Sequence, residues 1–177
     1  NGIGLKVLVL PRLEALLGAQ PGLEDLRDVN LEDLLGRRPV QLDEAAITDQ
    51  LQGRVVLVTG AGCSIGSELC RQVSRHGPAR LLMLDRDESA LHATQLSRTG
   101  HGLLDGDDLL LADIRDQARI LEIFAQTRPD VVFHAAALKH LPLLQKHPHE
   151  AWLTNVLGTR NVLDAAARAG VGALVNI

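Results

Sequence analysis

The 177-residue chain has no tyrosine, and aromatic residues make up only 2% of it. Its core must therefore be built from leucine, valine, isoleucine and alanine. There are only two cysteines, Cys63 and Cys70. Seven residues apart across one predicted turn and helix, they form neither a metal pair nor a disulfide framework, and they read as reduced thiols of a cytosolic setting. No run approaches 18 continuous apolar residues, so no segment here crosses a membrane, and the N-terminus has no signal-peptide pattern. There is no excess of positive charge. The net charge is −4, which gives no general attraction to nucleic acid or to anionic lipid. What remains, with 46% apolar and 23% charged residues, is an ordinary soluble globular composition. The length suits one domain with an additional piece.

The opening "NGIGLKVLVLP" looks cut from something longer. Residues 5–10 read as a short strand ended by Pro11, residues 12–18 as a brief helix, and residues 30–40 as another, capped by Asn30. Residues 40–53, "VQLDEAAITDQLQG", are polar and uneven and read as a connector. Residues 1–50 are thus the tail of a preceding unit plus a linker, and residues 51–177 a second unit.

From Arg54 the pattern changes. "VVLVT" is an apolar strand of the kind covered on both faces. Helix 64–77 follows, then strand "RLLMLD", helix 87–98, strand "DLLLAD", helix 116–129, strand "DVVFHAAA", a long helix over 147–170 and strand "GALVNI". Such alternation builds right-handed βαβ units on a parallel sheet. Five strands with four crossovers predict a doubly wound α/β fold, Rossmann-like, in the order 3-2-1-4-5, with the sequence stopping on the fifth strand.

The turn between the first strand and first helix reads Gly60-x-Gly62-x-x-x-Gly66. In this βαβ setting it points to a pyrophosphate held at a helix N-terminus, where free amides and the helix dipole face the anion. Gly60 turns the chain off the strand, Gly62 lets the backbone approach the phosphates, Gly66 lets helix and strand close up, and Ser64 offers a hydroxyl. Asp85, ending the second strand, can accept hydrogen bonds from an adenosine ribose and repel a 2′-phosphate. Arg86 works the other way, so the cofactor is NAD or NADP with NAD preferred. Asp113 can bond an adenine amino group or serve as a turn or cap residue. Lys139 and His140 follow the fourth strand at the edge where such sheets bind ligands. Lys139 can meet a phosphate or a sugar oxygen, or be a solvated loop residue. His140, His147 and His149 match no zinc spacing, so no metal is expected. His147 reads as a cap for the helix that Pro148 begins, Trp152 as core or interface filler, and residues 105–108 as a solvated turn. Asn155 and Thr159 share a helical face, and Gly158 between them allows close backbone approach.

"TGAGCSIGSE", "LLADIRD", "VVFHAAALKHLPL" and "TNVLGTRNV", with "LRDVNLEDLLGRRPVQLD" and "KVLVLPRLEALL" ahead of them, resemble the extended short-chain dehydrogenase/reductase superfamily. More narrowly they resemble the bacterial nucleotide-sugar 4,6-dehydratases of polysaccharide biosynthesis, the CapD/WbpM type. The resemblance implies a lyase acting on a UDP-N-acetylhexosamine, in the first place UDP-N-acetylglucosamine. NAD(P)+ would take hydride from sugar C4, water would leave across C5–C6, and hydride would return to C6. Carried over by position, Gly60, Gly62, Ser64, Ile65 and Gly66 would line the pyrophosphate, with Cys63 among them. Asp85 and Arg86 would meet the ribose, and Asp113 and Ile114 the adenine. Ala135, Ala136 and Ala137 would lie against the cofactor. Lys139 and His140 would reach the active-site crevice, and Asn155 and Thr159 would face it. The segment would be cytoplasmic, without membrane contact of its own, in a protein anchored at the inner membrane. Homo-oligomerisation is compatible with all of this.

Two departures stand out. Cys63 occupies a position that is usually glycine, and a left-handed backbone there would cost roughly 1–2 kcal/mol. The Y/M-x-x-x-K and Ser/Thr-Asp-Lys motifs of the family are expected beyond Ile177, so no catalytic residue is assigned and the chain as it stands is expected to be inactive. A sugar-nucleotide 4-epimerase or reductase, or a non-catalytic dinucleotide-sensing domain, would share these features.

Overall fold

The computed structural model describes residues 8–9, 27–28, 42–100 and 106–177. Two compact units divide the chain, Asn1–Leu42 and Asp43–Ile177. In the first, Leu8–Val9 pairs antiparallel with Arg27–Asp28. The helices expected over residues 12–18 and 30–40 lie outside the described residues.

The second unit carries five parallel strands, β1 (Val55–Thr59), β2 (Arg80–Asp85), β3 (Leu109–Leu111), β4 (Val131–His134) and β5 (Ala173–Asn176). Their order is β3-β2-β1-β4-β5, the doubly wound arrangement expected from the sequence. Helices α1 (Glu44–Leu51), α2 (Ser64–Val73), α3 (Glu88–Thr99), α4 (Gln117–Thr127), α5 (Leu141–Lys146), α6 (Pro148–Ala151) and α7 (Thr159–Ala169) complete it. Between α6 and α7 the helix continues through Trp152–Gly158 as wider π-helical turns.

Side chains alternate across a strand, and the two faces of β1 and β2 feed two separate cores. Val56, Val58, Leu81 and Met83 pack with Leu51 of α1, Cys70 and Val73 of α2 and Leu91 of α3. Leu57, Leu82 and Leu84 pack with Ile120, Ile123 and Phe124 of α4 and Val162, Ala165 and Ala166 of α7. Each fully buried side chain of this size contributes roughly 1.5–3 kcal/mol. Two layers built mainly from aliphatic side chains, with Phe124 in one of them, thus make up the core.

The polar connector read over residues 40–53 is largely helix α1. Asp43 Oδ1 accepts the Ala46 N–H at 3.0 Å, and Leu51 is buried against the sheet. One cap and one or two apolar anchors suffice there, too few to show as periodicity. Helix α5 was also unforeseen, and Pro142 sits in its first turn, where a missing N–H costs nothing. Residues 106–108 form the largely exposed turn expected there, and Asp108 Oδ1 accepts from Arg80 Nη2 at 2.8 Å. Trp152 is 54% exposed and fills no core in this unit. His147 precedes both α6 and Pro148, yet its side chain makes no capping bond.

The register fixes where a site can form. Thr59 lies opposite Leu84 on one side and His134 on the other. The residues that follow β1, β2 and β4 therefore emerge together at the carboxyl edge, at the point where strand order reverses.

Candidate functional site

At that edge lies an open cavity of about 100 Å³, lined by Gly60, Cys63, Leu84, Asp85, Arg86, Ala112, Asp113, Ile114, Ala136, Ala137, Leu138 and Thr154. Its floor depends on glycine. Gly60 has φ +70°, and a Cβ there would lie 2.6 Å from the Ala136 nitrogen. A Cβ on Gly66 would lie 2.0 Å from the Gly60 carbonyl oxygen. Backbone on backbone cannot give way as a side-chain tip can, so the first turn of α2 is drawn onto the end of β1. The amides of Ser64, Ile65 and Gly66 fall in that first turn, where no preceding helical carbonyl reaches them. Ser64 and Ile65 are exposed beside the cavity rather than on its wall.

Gly62 has a structural job besides the one read in the sequence. Its N–H donates to Asp85 Oδ2 at 2.9 Å, and a Cβ there would stand 2.5 Å from the Ala90 Cβ. It docks the turn on α3. Asp85 Oδ1 accepts the Asp87 N–H at 3.1 Å. The carboxylate is thus fixed by two backbone amides and is 9% exposed, with lone pairs left over for hydroxyl donors on the cavity side.

Cys63 has φ −74° and ψ 162°. This is ordinary extended backbone, so the left-handed strain expected for a non-glycine residue is absent. Burial, then the Asp85 carboxylate, raises its thiol above the usual range, against the opposing pull of Lys139 and Arg86.

Asp113 is engaged. Arg115 donates to it from its backbone N–H at 3.0 Å and from Nε at 2.8 Å, and Arg86 Nη1 stands 3.6 Å away. Burial opposes its charge, but the Arg115 bonds outweigh burial and hold the carboxyl below the ordinary range. The neighbouring Ile114 is buried and receives Gly158, where a Cβ would lie 2.6 Å from Ile114 Cδ1. The glycine of the long helix therefore serves packing on the cavity wall.

The loop after β4 carries Ala135, whose N–H donates to the Thr59 carbonyl at 3.0 Å and so continues the ladder. Ala136 and Ala137 lie on the cavity wall; Lys139 and His140 line an adjoining cavity with Arg86 and Leu138. Asn155 bonds both polar groups of the Leu138 peptide. Thr159 does not point into the crevice, because its hydroxyl lies 3.0 Å from His134 Nε2. The other ring nitrogen of His134 is 2.6 Å from Thr59 Oγ1. This buried imidazole, with its pKa lowered by burial to about 4, is neutral at neutral pH and ties β1, β4 and α7 together.

Thr154 escaped the sequence reading. It is 6% exposed, lines the cavity, and its hydroxyl has no partner among the described residues. Helical threonines usually bond back to the carbonyl four residues earlier, as Thr48, Thr94 and Thr127 do here. A buried hydroxyl left unpaired costs free energy, and a polar ligand in the cavity would recover it. No sequence signal separates this threonine from the others, and only its seat in the π-helical turn does.

A glycine-floored turn, a helix N-terminus, a carboxylate fixed beside them and an orphan hydroxyl on one cavity fit a nucleotide diphosphate. Several known proteins are similar. The capsular polysaccharide biosynthesis protein CapD of Staphylococcus aureus is 40% identical over 176 residues, covering 98% of this chain and 29% of that protein. The probable polysaccharide biosynthesis protein EpsC of Bacillus subtilis is 39% identical over 98% of this chain and 29% of its own length. A UDP-N-acetylglucosamine 4,6-dehydratase (inverting) of Campylobacter jejuni is 30% identical over 67% of this chain and 34% of its own. Among solved structures, Pen from Bacillus thuringiensis superposes with TM-score 0.62 at 30% identity, over 71% of this chain and 38% of that one. A UDP-glucose-4-epimerase from Stenotrophomonas maltophila, with bound NAD and formylated UDP-arabinopyranose, gives 0.59 at 31% identity, over 70% and 36%. The chain thus spans about 29% of the length of the first two relatives. Residues 56–177, the stretch holding the sheet and its cavity, match the family described as polysaccharide biosynthesis protein, and to that family the chain belongs.

Proposed function

We propose that this chain is the dinucleotide-binding part of a nucleotide-sugar 4,6-dehydratase that makes surface-polysaccharide precursors. Its substrate is a UDP-N-acetylhexosamine, first of all UDP-N-acetylglucosamine. The observation that carries the reading is the cavity at the strand-order switch, floored by Gly60 and Gly66 and edged by the unpartnered Thr154 hydroxyl. Similarity to the Campylobacter dehydratase supports the choice of reaction.

A bound NAD(P)+ supplies reversible redox chemistry at the sugar. The chain's own residues bind and orient. First-turn amides of α2 receive the diphosphate. Asp85, held by Gly62 and Asp87, presents its carboxylate to the ribose hydroxyls, which favours NAD over NADP. Asp113 and Ile114 border the adenine end, and the small side chains of Ala136 and Ala137 let the cofactor close onto the sheet. Lys139 and His140 stand towards the substrate side. We place the segment in the cytoplasm, where nucleotide sugars are made. Among the described residues no helix is long and apolar enough to cross a membrane.

A 4-epimerase is the second reading, favoured by the UDP-glucose 4-epimerases among the similar structures. Full-length protein incubated with UDP-N-acetylglucosamine separates the two. Loss of one water from the sugar, read by mass spectrometry, is the expected result. An unchanged mass with inversion at C4 replaces the first reading by the second.

A further inference from the structure

We propose that Cys63 is a thiol-modification site, at which a small disulfide forms an adduct that excludes a dinucleotide from the same cavity. The inference rests on reading that cavity as the dinucleotide site.

The two cysteines are sharply unequal. Cys70 is wholly buried between α2 and the sheet, and burial pushes its thiol up to about 12. Cys63 is exposed and lines the cavity beside Gly60 and Asp85. It occupies the N-cap of α2, where a side chain ordinarily bonds an orphan amide, yet it makes no capping bond. The thiol is therefore not engaged in holding the helix.

A second observation marks the cavity as a place for a polar ligand. Thr154, 6% exposed, lines the same wall system with a hydroxyl that has no partner among the described residues. An adduct on Cys63 Sγ would project into this space.

Charged groups from three parts of the fold act on the thiol. Asp85, Arg86 and Asp87 belong to the end of β2 and the start of α3, and Lys139 to the loop after β4. Asp85 outweighs either cation at the thiol, so the site offers no electrostatic pull on an anionic reagent, and exposure and space decide whether an adduct forms. The raised thiol pKa keeps the nucleophilic thiolate scarce at neutral pH, so the reaction quickens as pH rises. In the exchange, Cys63 loses its proton and Sγ bonds one sulfur of the disulfide. The S–S bond of the reagent breaks, and the second half leaves as a thiolate that takes up a proton. Cys63 is oxidised, and the departing half of the reagent is reduced.

The test uses the full-length protein and oxidised glutathione at pH 8.5, read by intact mass and peptide mapping. The adduct should form at Cys63 and not at Cys70. Saturating NAD+ should slow it at least tenfold. The adducted protein should lose at least tenfold in dinucleotide affinity by calorimetry, and dithiothreitol should restore it. A C63S variant should gain no adduct, and its own affinity should be the same before and after glutathione treatment. Adducted protein with an unchanged Kd, an adduct rate indifferent to bound NAD+, or no adduct at Cys63 would each overturn the proposal while leaving the dinucleotide reading intact. If untreated protein binds neither NAD+ nor NADP+, that reading falls, and this proposal falls with it.

Discussion

Asn155 holds the peptide of Leu138 from both sides. Its Oδ1 accepts the Leu138 N–H and its Nδ2 donates to the Leu138 carbonyl, each at 2.8 Å. An amide side chain on the long helical segment thus completes a two-bond ladder for a loop that has run off the sheet. That loop carries the cavity wall at Ala136 and Ala137 and, beyond them, Lys139.

Replacing Asn155 by Ala leaves both groups of that peptide unpaired. At roughly 0.5–1.5 kcal/mol per hydrogen bond, the loss should be about 1–3 kcal/mol in urea unfolding. Dinucleotide affinity should fall as the wall loosens. Asp at the same position can accept the N–H but cannot donate to the carbonyl when ionised, so it should not rescue. Full stability in N155D would show that the donated bond is idle.

Gly66→Ala sets two effects of opposite sign against each other. In an open helix Ala is better than Gly by about 1 kcal/mol. Here the new Cβ meets the Gly60 carbonyl at 2.0 Å, and overpacking costs about 1–3 kcal/mol. The expected result is net destabilisation with at least a tenfold loss of NAD+ affinity. A stabilised variant with unchanged affinity would mean that helix and turn do not need their close approach.

Thr154→Val should act in opposite directions on the free and bound protein. Removing an unpaired buried hydroxyl relieves a desolvation cost, so the free protein should be unchanged or stabler by about 1 kcal/mol. Losing the ligand's partner should weaken dinucleotide binding by about 2- to 13-fold, the equivalent of one hydrogen bond. Parallel thermal melts and calorimetry read the two effects. Weaker binding together with a less stable free protein would assign Thr154 to packing instead.

Lowering the pH should weaken the fold through His134. Its folded pKa of about 4 lies below the ordinary imidazole value, so the unfolded chain binds this proton more readily. Stability is fully present above the unfolded value and falls as pH drops towards 4, by about 3 kcal/mol at most. The His134 ring resonances should still report a neutral imidazole at pH 5. In H134Q the stability difference between pH 7 and pH 4.5 should shrink by a comparable amount. A ring titrating near 6.5 would remove the argument.

Sequence alone made the sheet legible because its signals are local. "VVLVT" and "RLLMLD" are continuous apolar runs, and glycine and proline punctuate the helices between them. The glycine turn was legible for the same reason, since only a residue without Cβ can sit where Gly60 and Gly66 sit. Helix α1 was hidden because Asp43 and Leu51 hold it by one cap and one anchor. The second job of Gly62 was hidden because its partner, the Asp85 carboxylate, is 23 residues away. Cys63 misled because a glycine-rich turn does not say which of its members takes a positive φ. Thr159 and Thr154 share one helical segment, yet one is bonded to His134 and the other is bare. That distinction belongs to tertiary placement and the π-helical turns, neither of which composition encodes.

The pairing of β1 with β4 joins residues 75 apart in the chain, as Thr59 and His134 do. Gly60 rests on the backbone of Ala135 and Ala136, just past that far strand. Long-range closures of this kind are slow to form. The glycine loop is held in shape by a strand far away in the sequence, and its geometry depends on that strand being docked. If the cavity takes the proposed dinucleotide, that ligand would therefore stabilise the closed sheet over every form in which the fourth strand is undocked.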